Sequence, residues 1–211
     1  MTEFEKMTSG NLYNPYDEDL TKILKRTHDL VIKFNNTLYS EERERVKLLN
    51  KICPSTKDKN IEIYNPVYFE YGINTHFGND VFCNYGCNFM DCANITINDH
   101  VMLGAEVMFA TPKHPIHADD RRVQEFPDGL HNIEYALPIV VKENTWIASR
   151  VTVVGGVTIG KNCVIGAGAV VTKDIPDNSF AAGVPAKVIK KIDDSHKVDI
   201  WDMYKSEKKL S

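Results

Sequence analysis

The sequence predicts a mainly β protein: a parallel β-helix of hexapeptide repeats with a helical lead-in and a C-terminal tail. Three observations carry this reading. Stepping by six from Val67 gives Val67, Ile73, Asn79, Tyr85, Asp91, Ile97, Leu103 and Phe109, and after an interruption Val141, Ile147, Val153, Ile159, Ile165 and Val171. Twelve of these fourteen are apolar, against 43% for the whole chain. The positions two residues earlier, from Tyr71 through Val107 and from Thr145 through Ala169, are apolar at every step but Thr145. Small residues often follow the anchor: Asn98, Gly104, Ala110, Ala148, Gly160 and Gly166. A period of six matches neither the roughly 3.6 of a helix nor the roughly 2 of an ordinary strand. It matches short strands that turn corners at small residues and stack their anchors into an internal ladder.

The elements follow in order. Residues 1–58 lack the hexad and show helical spacing instead. Leu20, Ile23, Leu24, Thr27, Leu30, Val31 and Phe34 form one apolar stripe, and a second runs from Glu41 through Leu48, Leu49 and Ile52 to a stop at Pro54. Residues 59–192 are the repeat. From Phe109 to Val141 the distance is no multiple of six, so the chain leaves the coil there, in an excursion of about residues 111–138. Long excursions from a rigid scaffold tend to carry function. Residues 193–211 are polar with spaced Ile200, Trp201, Met203, Tyr204 and Leu210, which suits either a docked helix or a frayed tail.

Composition narrows the function classes. Lys and Arg total 25 against 29 Asp and Glu, so no basic footprint argues for nucleic acid. No stretch approaches the roughly 18 apolar residues of a membrane span, and the first residues lack the layout of a signal peptide. Five cysteines, an odd number, suit free thiols in a reducing cytoplasm. Cys83, Cys87 and Cys92 are close enough to raise a metal site, but Cys83 and Cys163 fall on the inward ladder, where cysteine acts as a small hydrophobe. No metal is expected.

His114 is the sharpest chemical candidate. It stands between Lys113 and Pro115 at the mouth of the excursion, and histidine suits proton transfer near neutral pH. Asn79 and Asp91 break the anchor ladder, and a polar group at an inward step must be paired. Either they mark a site, or the register shifts at a corner and Asp91 bonds backbone. Trp146 precedes an anchor and should point outward, toward a ligand or a neighbouring chain. Lys173, Lys187 and Lys190 near the last coil either bind a phosphorylated ligand or are solvated charge.

Together with the ladder, Thr-Pro-Lys-His-Pro-Ile-His at 111–117, Trp-Ile-Ala-Ser at 146–149, Ile-Gly-Ala-Gly-Ala-Val-Val-Thr-Lys-Asp at 165–174 and Ala-Gly-Val-Pro-Ala-Lys-Val-Ile at 182–189 resemble the maltose/galactoside O-acetyltransferases. Ser9-Gly10-Asn11-Leu12-Tyr13 and the helical lead-in extend the resemblance over nearly the whole chain. It implies a left-handed β-helix assembled as a homotrimer, with acetyl-CoA in the groove between subunits and a sugar hydroxyl as acceptor. It places the general base on His114 and acceptor contacts on Asn84 and Asp91, with a further acidic contact within Asn14–Asp17, assigned to Asp17. Where the family carries a serine in a Tyr-Phe-Ser-Tyr-Gly segment this chain has Glu70, which alters the acceptor subsite. Contacts to CoA carry over to Trp146, Ser149, Ala167, Thr172 and Lys173, and two family arginines appear as Lys187 and Lys190, keeping charge without bidentate geometry. The segment Glu125-Phe126-Pro127-Asp128-Gly129 makes the excursion longer than the usual maltose-type pattern.

Other readings of the same residues are acetylation of a hydroxyl-bearing antibiotic or other non-sugar alcohol, a metal-dependent carbonic anhydrase drawing on His76, His100, His114 or His117, and a non-catalytic scaffold. No nucleophile elbow of the Gly-x-Ser-x-Gly kind is present, which argues for direct transfer rather than an acyl-enzyme.

Overall fold

The computed structural model describes residues 1–206; Leu210, the last apolar step of the tail, lies outside the described residues. Three helices open the chain: α1 (Glu3–Ser9), α2 (Glu18–Asn35) and α3 (Glu42–Ile52). The two apolar stripes become α2 and α3. α1 has only Met7 buried, too little periodicity to read, and is set instead by a capping box between Thr2 and Glu5. Val31, Phe34, Leu48, Leu49 and Ile52 join the same core as the coil interior, so α2 and α3 cover apolar surface that the first coil would otherwise leave wet.

The rest is a left-handed parallel β-helix of about six turns. Its strands line up as three faces of a prism. The first face holds Ile61–Ile63, Val81–Cys83, Met102–Leu103, Trp146–Ile147, Val164–Ile165 and Ser179–Ala182, closed by the antiparallel strand Lys187–Lys191. The second holds Tyr68–Phe69, Asn88–Met90, Met108–Ala110, Thr152–Val154 and Val170–Val171. The third holds Thr75–Phe77, Ile95–Ile97, Ile139–Val141 and Thr158–Ile159. Inside, Phe69, Phe89 and Phe109 stack at 4.9 and 5.4 Å between ring centres, and Val153 and Val171 continue the column.

Coil length is not uniform, and this corrects the simple six-step frame. Later coils pair residues 18 apart, as Trp146 with Val164, whereas the first pair residues 20 apart, as Tyr68 with Asn88 and Asn88 with Met108. The extra residues sit at the edge between the second and third faces, in Glu70–Asn74 and Asp91–Asn94. Consequently the six-step series slips out of register before Ile97. Asn79 and Tyr85 are exposed corner residues, not anchors, and Ile73 is only half-buried.

The widened edge has its own core. Met7, Tyr13 and Leu20 of the lead-in pack with Tyr71, Cys92, Ala93 and Ala136. The excursion leaves the third coil at the same edge. It contains a short helical turn, α4 (Ala118–Arg121), and a hairpin of Gln124–Phe126 with Gly129–His131. Its return arm, Tyr135–Ala136, pairs antiparallel with Pro112–Lys113. The last described element is α5 (Ile200–Ser206), whose Ile200, Trp201 and Tyr204 are exposed.

Candidate active site

His114 directly follows the Pro112–Lys113 strand, so the return arm fixes its backbone. That arm also delivers Glu134, whose Oε1 lies 3.7 Å from His114 Nε2, ion-pair range but longer than a hydrogen bond. Apo enzymes commonly hold such pairs long. Glu134 is itself anchored three ways by Tyr13. The Tyr13 amide donates to Glu134 O (2.9 Å), the Glu134 amide donates to Tyr13 O (3.1 Å), and the Tyr13 hydroxyl donates to Oε2 (3.0 Å). Burial pushes the Tyr13 phenol far above its ordinary range, so it stays a donor. Sequence reasoning missed Glu134. The one available signal was a carboxylate inside an excursion that already held His114.

Glu70 follows the Tyr68–Phe69 strand at the same edge and is half-buried. Burial raises its carboxyl pKa, His28 lowers it and Glu134 raises it, so the three share one electrostatic neighbourhood. Beside Glu70 lies a groove of about 360 Å³ between α2 and the second face, lined among others by His28, Ile32, Tyr68, Asn88 and Met90. Thr172 and Lys173 are exposed on this edge, two coils beyond the excursion.

Asp91 is also here, but it faces inward and is fully buried. The amides of Tyr71 (2.7 Å) and Gly72 (3.1 Å) donate to its Oδ1; the Asn74 amide (3.2 Å) and Thr75 hydroxyl (2.9 Å) donate to Oδ2. Burial pushes its carboxyl up to about 6 against the pull of these donors. Its oxygens hold the widened corner together, the structural reading of the two considered above. Asp17 is likewise engaged locally, because its Oδ1 caps α2 by accepting from the amides of Asp19 and Leu20.

The remaining candidates lie elsewhere on the prism. Asn84, Ser149 and Ala167 occupy the edge between the first and second faces, where each coil's amide donates to the coil above: Asn84 to Leu103 O, Gly104 to Ile147 O, Ala148 to Ile165 O. Ser149 and Ala167 are exposed there. Trp146 points outward from the first face, in a row with Phe82, Met102, Val164 and Phe180. Lys187 and Lys190 are exposed on the last strand of that face. His114, Glu70, Thr172 and Lys173 therefore stand on one edge of the chain and Asn84, Ser149 and Ala167 on another, with Trp146, Lys187 and Lys190 on the first face.

Of the other histidines, His76 meets Asn94, His100 faces Asp80 and His117 caps α4. Among the described residues no three His, Cys, Asp or Glu side chains are grouped to hold a metal ion. All five cysteines are buried free thiols. Among the described residues no helix is long and apolar enough to cross a membrane.

Comparison with known proteins gives a concordant picture. The family described as the maltose acetyltransferase hexapeptide capping motif matches residues 6–57, and that described as the bacterial transferase hexapeptide (six repeats) matches residues 138–173. The galactoside O-acetyltransferase of Escherichia coli is 37% identical over 203 residues, covering 96% of both chains. The crystal structure of a maltose O-acetyltransferase from Clostridium difficile superposes with a TM-score of 0.83 at 44% identity, covering 92% of this chain and 99% of that one. A galactoside acetyltransferase in complex with coenzyme A superposes with a TM-score of 0.81 at 34% identity, covering 94% and 97%. An acetyltransferase from Vibrio cholerae complexed with acetyl coenzyme A gives 0.81 at 28%, covering 92% and 100%. With the fold, the capping lead-in and the hexapeptide repeat matched, and relatives similar over nearly its full length, this chain belongs to the maltose/galactoside O-acetyltransferase family of hexapeptide-repeat acyltransferases and is an acetyl-CoA-dependent acetyltransferase.

Proposed function

We propose that the protein transfers acetyl from acetyl-CoA directly to a hydroxyl of a sugar of the maltose, glucose or galactoside type, with His114 as general base. The observation that carries this is the pairing of His114 with a Glu134 that Tyr13 holds in place. The ring nitrogen facing Glu134 carries the proton, and the other presents its lone pair. As the acceptor hydroxyl attacks the thioester carbonyl, that lone pair takes the hydroxyl proton. Glu134 stabilises the imidazolium so formed, and the proton passes to the departing CoA thiolate as the tetrahedral adduct collapses. The main-chain amide of Ser149 is suited to the developing oxyanion, an effect worth roughly 10²–10³ in rate.

Asn84, Glu70 and Asp17 are assigned to the acceptor. Trp146, Ala167, Thr172, Lys173, Lys187 and Lys190 are assigned to acetyl-CoA, the lysines as point charges for its phosphates. Asp91 supports the site from beneath and is not proposed to touch the sugar. Since one chain presents His114 and the Asn84–Ser149–Ala167 edge on different sides, the proposed active form is a homotrimer in which two chains share each groove. Five buried free thiols suit a cytoplasmic enzyme.

His114→Ala should lower kcat by about 10²–10⁴ while CoA binding, followed by calorimetry, persists. Turnover close to that of the unmodified protein would remove His114 from the mechanism. Release of CoA thiol, screened over maltose, glucose, a galactoside and a non-sugar alcohol, identifies the acceptor class.

A further inference from the structure

Of the three histidines in the excursion, one has surroundings stricter than those of His114. His131 is 6% exposed and its ring is stacked on Phe126 at 4.4 Å and 14°. Its Nδ1 lies 2.7 Å from Asn132 O and its Nε2 lies 3.0 Å from Asp128 Oδ1. Both partners are acceptors without a proton to give. A neutral imidazole has one N–H and satisfies one of them, leaving the other ring nitrogen's lone pair against an oxygen; the imidazolium satisfies both. The hydrogen-bond count therefore selects the charged ring.

Asp128 links this ring to the lead-in, since its Oδ2 accepts from Asn14 Nδ2 at 3.2 Å. Asn14 adjoins Tyr13, which anchors Glu134. From α1, Glu3 and Lys6 also face the cluster. Glu3 Oε2 accepts from the Asn14 amide, Glu3 pairs with Lys6, and Lys6 senses Asp128. The chain from His131 to Glu134 is three residues long, so whatever fixes the first constrains the second.

We propose that His131 is a positioning residue: as an imidazolium clamped between Asn132 O and Asp128, it pins the excursion to the lead-in and so holds Glu134 at His114. Its link to catalysis rests on the His114 reading above; the clamp itself does not. The electrostatics agree in direction. Burial lowers the His131 pKa, but the Asp128 hydrogen bond and the Asn132 carbonyl outweigh it and leave the value raised, while His131 in turn lowers that of Asp128. For a group raised in the folded state, the clamp is intact at lower pH and is lost as pH rises through the folded value. Acetyl transfer should thus fall at the alkaline end of the profile as His131 loses its proton.

The test uses the whole protein with ¹⁵N-labelled histidine. At pH 6.5 both His131 nitrogens should show protonated shifts, with a midpoint above the roughly 6.5 of free histidine. His131→Gln retains one donor toward Asp128 without the charge. It should lower kcat on the order of tenfold with little change in the KM for acetyl-CoA, below the roughly 10² that an ångström of misplacement can cost. It should also abolish the alkaline fall in the pH–rate profile and increase proteolytic cleavage near Gly129. A midpoint at or below 6.5, or a His131→Gln profile that keeps its alkaline limb, overturns the proposal. If His114→Ala stays active while the NMR and proteolysis results hold, the clamp stands and the general-base assignment is what fails.

Discussion

Asp91 and Glu134 carry the same functional group, and their surroundings give them opposite roles. Asp91 receives three main-chain amides and one hydroxyl inside the prism, so its oxygens are fully used by the fold. Glu134 receives one hydroxyl from Tyr13 and leaves Oε1 toward a half-exposed imidazole. Asp91→Ala should cost about 3–5 kcal/mol, because several buried donors lose their acceptor at about 1–3 kcal/mol each. Asp91→Asn keeps the shape but turns an amide group toward one of those donors, and should recover only part of the loss. Denaturant unfolding checks both, and a midpoint unchanged in Asp91→Ala would contradict the structural assignment. Glu134→Gln should behave differently, lowering kcat by about 10–10² with little effect on stability. Thermal melting beside steady-state rates separates the two carboxylates.

Among the elements, the corners decide what the coils can carry. Gly104 sits where a Cβ would meet the Ser149 amide nitrogen at 2.6 Å and the Ala148 carbonyl carbon at 2.8 Å. Those atoms are backbone of the next coil and cannot swing aside. Gly104→Ala should therefore cost about 1–3 kcal/mol and weaken catalysis through the displaced Ser149 amide; an unchanged Tm and kcat would refute that link. The small residue that often follows an anchor was legible, and the same crowding recurs at Gly160 and Gly166. What was not legible was the two-residue widening of the first coils. Nothing in the local spacing distinguishes a 20-residue coil from an 18-residue one until strands are paired, so Asn79 and Tyr85 looked like anchors. The partner of His114 was hidden for a related reason. Tyr13 and Glu134 are separated by 121 residues, and their contact exists only because the lead-in docks on the widened edge. Outward Trp146 could be read because strand alternation is a local rule.

At the scale of the molecule, the placement of the candidate residues underlies the proposed trimer. His114, Glu70, Thr172 and Lys173 stand between the second and third faces, whereas Asn84, Ser149 and Ala167 stand between the first and second. A whole face separates them in one chain, so under the proposed assignments a single protomer would present two half-sites. The first face adds the outward row from Phe82 to Phe180, apolar surface that contact with another copy or with the cofactor would remove from water. A head-to-tail contact of one edge against the other, repeated about a threefold axis, closes into a ring with three equal grooves. This arrangement makes a complementation experiment decisive. His114→Ala disables one edge, and Ala167→Trp would fill the other. Each variant alone should be nearly inactive as a trimer. Co-expressed at equal levels and purified through two tags, the mixture should regain activity, because in every trimer holding both chains about one groove in three joins an intact His114 edge to an intact Ala167 edge. Sedimentation should show three chains throughout. If mixed trimers form and no activity returns, the two half-sites belong to one chain and the shared groove is wrong; a fully active monomer would exclude it outright.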